Sequence, residues 1–118
     1  MKIIYIAGPY RADTEWGVEE NIETARSFAA AVLMLGAMPI CPHMNTAHMG
    51  GVVPDQQIFE GDLEIMRRCD AVWMIDGWEK SVGARSELTF AIKNRMEIIY
   101  SFDQMKKYLA AGPTDGQG

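Results

Sequence analysis

The sequence predicts a three-layer α/β sandwich built on a small, mostly parallel, doubly wound sheet. Three observations carry this expectation. Short apolar runs alternate along the chain with segments of 3.6-residue apolar period. Gly and Pro punctuate the ends of those segments, as at Gly8-Pro9, Gly36 and Pro42. Strands separated by helices pair in parallel through right-handed crossovers, which stacks helices on a sheet in layers.

The elements follow in order. Residues 2–7 are a short Ile- and Tyr-rich run stopped by Gly8-Pro9 and read as a buried strand. Over residues 18–35, Val18, Ile22, Ala25, Ala29, Val32 and Leu33 recur at helical spacing. Glu19, Glu20 and Glu23 fall in its first turns, where the helix dipole favours them, and Gly36 suits its C-terminus. Residues 38–41 form a second strand, and 43–55 a loop of the length that is usually functional or disordered. A helix over 56–68 spaces Ile58, Phe59, Leu63 and Met66 on one side. Residues 71–75 are the most apolar strand; 76–80 are a loop, 82–94 a helix, 97–100 a fourth strand and 104–110 a last helix. One domain over 1–111 is expected, followed by a Gly-rich, polar, disordered tail over 112–118.

With 118 residues the chain has the size of one domain. Its 48% hydrophobic and 23% charged content is that of a globular protein. The net charge of −5, with no Lys/Arg run, argues against duplex nucleic acid as a partner. A single phosphate stays open, because backbone N–H groups bind one locally against the global charge. Cys41 and Cys69 lack CxxC partners and read as free thiols of a reducing compartment, so a cytoplasmic location is expected. The apolar N-terminal run is too short for a signal segment, and no stretch is long enough to span a membrane.

In open α/β sheets, ligands bind beyond the carboxyl ends of the strands, at the switch in strand order. Four loops meet that condition: Gly8-Pro9-Tyr10-Arg11, the 43–55 loop, the 76–81 loop with Asp76 and Trp78, and Ser101-Phe102. The first and third are neighbours if the first and third strands pair. Glu87 lies early in the following helix, whose positive end favours an ionised carboxylate. An ionised carboxylate is what attack on an anomeric carbon requires; an ordinary solvent-facing Glu is the other reading. Asp62 lies within Glu60-Gly61-Asp62-Leu63-Glu64, which also reads as a solvated helix face. Tyr5 is either core filler or a buried hydroxyl in need of a partner. Cys41, His43 and His48 match no zinc spacing, so no metal is expected; His43 and Asn45 suit a nucleobase edge better. Neither a P-loop nor a GxGxxG is present.

Three stretches together carry a resemblance. They are Ile3-Ile4-Tyr5-Ile6-Ala7-Gly8-Pro9-Tyr10-Arg11, Glu60-Gly61-Asp62-Leu63 running into Cys69-Asp70-Ala71-Val72, and Ser81-Val82-Gly83-Ala84-Arg85-Ser86-Glu87. In this order and spacing the chain resembles the nucleoside 2-deoxyribosyltransferase-like superfamily, which includes deoxynucleoside monophosphate N-glycosidases. The resemblance implies a Rossmann- or flavodoxin-like sheet, Glu87 as nucleophile, Tyr5 as its orienting hydroxyl, and Asp62 as the group that contacts the sugar or assists the departing base. It implies no cofactor. Ser81, six residues before Glu87, stands where the nucleoside transferases carry an aspartate and the monophosphate hydrolases a serine. A 5′-phosphate near Ser81, Gly83, Gly8, Pro9, Tyr10 and Arg11 is then expected. A homodimer or larger assembly is implied as well, because relatives complete the site with a neighbouring subunit. Hydrolysis and base transfer both stay open, as does a non-catalytic nucleotide-binding module on the same fold.

Overall fold

The computed structural model describes residues 1–45, 49 and 51–111. His48 and the tail over 112–118, each the subject of an expectation above, lie outside them. Strands β1 (Ile3–Ala7), β2 (Met38–Ile40), β3 (Ala71–Met74) and β4 (Glu97–Ile99) form one sheet in the order β2-β1-β3-β4, every pair parallel. The chain steps from β1 to β2 on one side, then returns past β1 to place β3 on the other. The switch in strand order therefore falls between β1 and β3, which are neighbours, the condition under which the first and third loops lie side by side.

The period-2 alternation of the strands divides the core. Ile4, Ile6, Trp73 and Ile75 point to one face, where they pack with Ala25 and Val32 of helix α1 (Glu15–Met34) and Met105 of helix α5 (Phe102–Ala110). Tyr5, Ala7, Val72 and Met74 point to the other. There they meet Met66 of helix α3 (Asp55–Arg67) and Ala84 and Ala91 of helix α4 (Val82–Lys93). The layers are thus α1 and α5, sheet, α3 and α4.

Helix ends depart from the sequence expectation for identifiable reasons. Helix α1 starts at Glu15 rather than residue 18, because the Thr14 side chain accepts from the Gly17 N–H and caps it. Ser101 does the same for the Gln104 N–H, so α5 begins at Phe102 instead of residue 104. The 43–55 segment is not all loop: Pro42–Asn45 form a short helix, α2, with Pro42 at the first position, where its missing N–H costs nothing. Trp78–Lys80 close a 3₁₀ turn within the expected 76–80 loop.

Candidate active site

The Tyr5 side chain leaves the middle of β1 toward α4 and is fully buried. Glu87, in the second turn of α4, reaches back to it and is 7% exposed. The Tyr5 hydroxyl donates to Glu87 Oε2 at 2.5 Å. The other carboxyl oxygen of Glu87 makes no hydrogen bond among the described residues. Asp62, on α3 and half-buried, interacts electrostatically with both. Three residues that lie far apart in sequence meet on one face of the sheet because β1 and β3 are adjacent and α3 and α4 cover the same side.

Burial dominates the electrostatics. It pushes the Glu87 carboxyl up to about 8; the Tyr5 bond works against this, and the nearby Asp62 adds to it. The expectation that the helix dipole favours an ionised Glu87 meets an opposing effect: desolvation raises the carboxyl and favours its protonated form. Asp62 is pushed up to about 6, again by burial. The Tyr5 phenol rises too, through burial first and then the two carboxyls, so it stays a donor.

Of two cavities among the described residues, one is lined by Asp62, and neither is lined by Tyr5 or Glu87. One, of about 250 Å³, is lined by Asp62 with Gln57, Ile58, Gly61 and Ile65 of α3, and by Asn45, Met49 and Val53. The other, of about 340 Å³, opens on the α1 side and is lined by Pro9, Asn21, Thr24, Ile75, Asp76 and Gly77. Gln57, Asn21 and Thr24 were not foreseen. A polar side chain one turn before Asp62, and amide and hydroxyl groups flanking buried Ile22, were the signals available.

The family is now identifiable. Residues 2–101 match the family described as a domain of unknown function, DUF7768. The chain is a DUF7768 protein. No curated protein matches it in sequence. Among solved structures, the DUF7768 chain is similar to a 2-desoxiribosyltransferase from Leishmania mexicana, at 20% identity and a TM-score of 0.61. That match covers 83% of this chain but only 62% of the Leishmania protein. It is also similar to a 2-deoxyribosyltransferase from Bacillus psychrosaccharolyticus, at 19% identity and a TM-score of 0.62, over 81% of this chain and 69% of that one. The DUF7768 fold is thus that of the nucleoside 2-deoxyribosyltransferases.

The remaining expected site residues of the DUF7768 chain are spread around the crevice. Gly8 is buried, and a Cβ there would lie 2.4 Å from Ile75 Cγ1, so the turn after β1 presses on the end of β3. Pro9 and Tyr10 are half-buried. Arg11 pairs with Asp55 at the start of α3, at 2.6 Å, both side chains being exposed. Ser81 is the N-cap of α4, its Oγ accepting from the Ala84 N–H at 3.1 Å, and Gly83 is exposed in the first turn. Asp76 is exposed at the mouth of the larger cavity. Trp78 packs into the α3/α4 cluster and leans on Tyr100, with 5.9 Å between ring centroids. Asn45 is exposed on the smaller cavity, whereas His43 is 5% exposed with Nε2 engaged by the Pro9 carbonyl. His43 therefore does not offer a free edge to a nucleobase. Among the described residues, no group of three or more His, Cys, Asp or Glu is placed to hold a metal, and no helix is long and apolar enough to cross a membrane.

Proposed function

We propose that this protein cleaves the N-glycosidic bond of a nucleoside or nucleoside 5′-monophosphate, with Glu87 as the nucleophile. The observation that carries this reading is the buried 2.5 Å hydrogen bond between the Tyr5 hydroxyl and Glu87 Oε2. It fixes one carboxyl oxygen and leaves the other without a protein donor among the described residues, as in-line attack on a sugar carbon requires. Similarity of fold to 2-deoxyribosyltransferases supports the choice of substrate class.

Glu87 attacks C1′ on the face opposite the base, through an oxocarbenium-like transition state. The C1′–N bond breaks, its electron pair goes to the base nitrogen, and Asp62 delivers a proton there, directly or through water. Asp62, now ionised, then takes a proton from water, or from a second base, that attacks C1′ and frees Glu87. Water makes the protein a hydrolase and a base makes it a transferase. The 5′-phosphate is assigned to the start of α4, where Ser81 and backbone N–H groups face it. The reading includes a neighbouring subunit closing the site, a cytoplasmic setting and no cofactor.

The two carboxyl groups titrate as a pair, near about 6 and about 8. Burial raises both carboxyls, Glu87 the more, so the form with the proton on Asp62 is the minor one, and the reaction needs that form. The pH profile of kcat/KM is expected to be a bell with limbs near those values.

Screening base release over a panel of nucleosides and monophosphates tests the reading. Glu87→Ala should cut turnover by at least about 10³-fold while binding survives; unchanged turnover overturns it. Adding a foreign free base separates the branches, since free sugar phosphate marks hydrolysis and a new nucleotide marks transfer. One observation favours a second reading, a nucleotide-binding module: Glu87 is 7% exposed, and burial pushes its carboxyl toward the neutral form. Tight nucleotide binding without base release, unaltered in Glu87→Ala, would establish it instead.

A further inference from the structure

His43 lines neither cavity described above, yet it stands against the turn that leaves β1. Its Nε2 is 2.6 Å from the Pro9 carbonyl oxygen. A carbonyl only accepts, so Nε2 carries the proton and Nδ1 holds the lone pair. Nδ1 is buried and has no hydrogen-bond partner among the described residues. Burial lowers the imidazole pKa, against the pull of the Pro9 and Gly8 carbonyls, which agrees with a neutral ring. A leucine would fill the same space with no unsatisfied atom, so packing alone does not account for a histidine here.

The turn is gripped on both sides. From α2, His43 holds the Pro9 carbonyl and meets the Tyr10 ring edge-on, at 5.6 Å and 74°. From the end of β3, Ile75 fills the space a Gly8 side chain would need, and a Cβ on Gly77 would come within 3.0 Å of Pro9 Cγ. Gly77 itself has φ 90°, a conformation that favours glycine. Gly8 lies three residues beyond Tyr5, which puts the turn roughly 10 Å further along the strand direction than the Tyr5–Glu87 pair.

We infer that His43 is a positioning residue: through its Nε2–H to the Pro9 carbonyl it fixes the Gly8-Pro9-Tyr10 turn in the shape that seats the sugar-phosphate end of the substrate. This rests on the nucleoside reading of the site. His43 touches no substrate; it acts through the turn.

Two variants separate positioning from packing. His43→Leu keeps the bulk and removes the donor; His43→Gln keeps an N–H of similar reach. With 2′-deoxynucleoside 5′-monophosphates, His43→Leu is expected to raise KM about tenfold, with kcat within about twofold of the parent, and His43→Gln to restore most of the loss. An unchanged KM in His43→Leu, or equal damage in both variants, overturns the inference. A readout independent of activity is NMR of the free protein. The imidazole ¹⁵N shifts should report the neutral Nε2–H tautomer, and the Gly8 and Tyr10 amides should move in His43→Leu but not in His43→Gln. A protonated Nδ1 in the parent protein refutes the clip even if His43→Leu does not fold. If the parent releases no base from any substrate, the reaction is refuted, while unmoved Gly8 and Tyr10 amides would separately refute the clip.

Discussion

A carboxylic acid hydrogen-bonded to a phenol inside a protein is a weak nucleophile until its proton leaves. Burial pushes Glu87 toward that state, and Tyr5 moderates it: its bond lowers the Glu87 pKa against the larger effect of burial. Removing the hydroxyl in Tyr5→Phe should therefore raise the Glu87 pKa further. The upper limb of the pH profile then moves above about 8, and the peak falls roughly 10–100-fold, the worth of one charge-assisted hydrogen bond. Asp62→Asn is expected to lower kcat by about 10²-fold or more and to replace the bell with a plateau at high pH, because no acid remains to be ionised. Profiles of kcat/KM between pH 5 and 10 check both. For all three residues, the proposed roles were readable in the sequence only through the resemblance. Taken singly, a buried Tyr and a Glu early in a helix have ordinary structural readings, and their meeting depends on β1 and α4 being packed together.

At the scale of elements, helix caps and the grip on the β1 turn make separable predictions. Thr14 and Ser81 cap α1 and α4 in the same way. Replacing either by Ala should cost about 1 kcal/mol in urea denaturation. Only Ser81→Ala should also raise KM for monophosphates, because only α4 begins at the site; equal KM effects in the two variants would remove Ser81 from phosphate binding. Gly8→Ala places a methyl 2.4 Å from Ile75 Cγ1. The side chain has to move, at a cost of about 1–3 kcal/mol. Combining Gly8→Ala with Ile75→Ala should cost less than the sum of the two, in a double-mutant cycle read by denaturation. Most elements were legible from apolar period and Gly/Pro punctuation. The starts of α1 and α5 were missed, because Thr14 and Ser101 caps extend helices beyond the apolar stripe into exposed residues such as Trp16 and Phe102. Helix α2 was missed because four residues are too few to show a period.

For the whole molecule, the buried carboxyl ties stability to pH. The folded state holds the Glu87 proton to about 8, whereas an unfolded chain releases it near 4.5. Between those values the folded state binds more protons, so stability is fully present below about 4.5 and is lost as pH rises through about 8. Asp62 adds in the same direction over its own lower window, up to about 6. Glu87→Gln removes the larger contribution. Its unfolding free energy should fall less from pH 5 to 9 than the parent's, by on the order of a few kcal/mol, and it should be the more stable protein at pH 9. A variant with the parent's pH slope would show that Glu87 is not the buried acid described. A stabler, inactive Glu87→Gln is what a site that holds a carboxyl against its own desolvation should yield.

By itself the sequence determined the fold class, the order of strands and helices, and the set of polar residues at the ends of the strands. Those follow from local rules: apolar period, turn chemistry and the handedness of crossovers. Only the tertiary structure decided which of those residues meet, that burial raises the Glu87 carboxyl, and that His43 faces the Pro9 carbonyl. These depend on burial and on contacts between distant segments, such as the 82 residues separating Tyr5 from Glu87. The free energy of a charge is set by the water it loses on folding, and no local pattern of residues reports that loss.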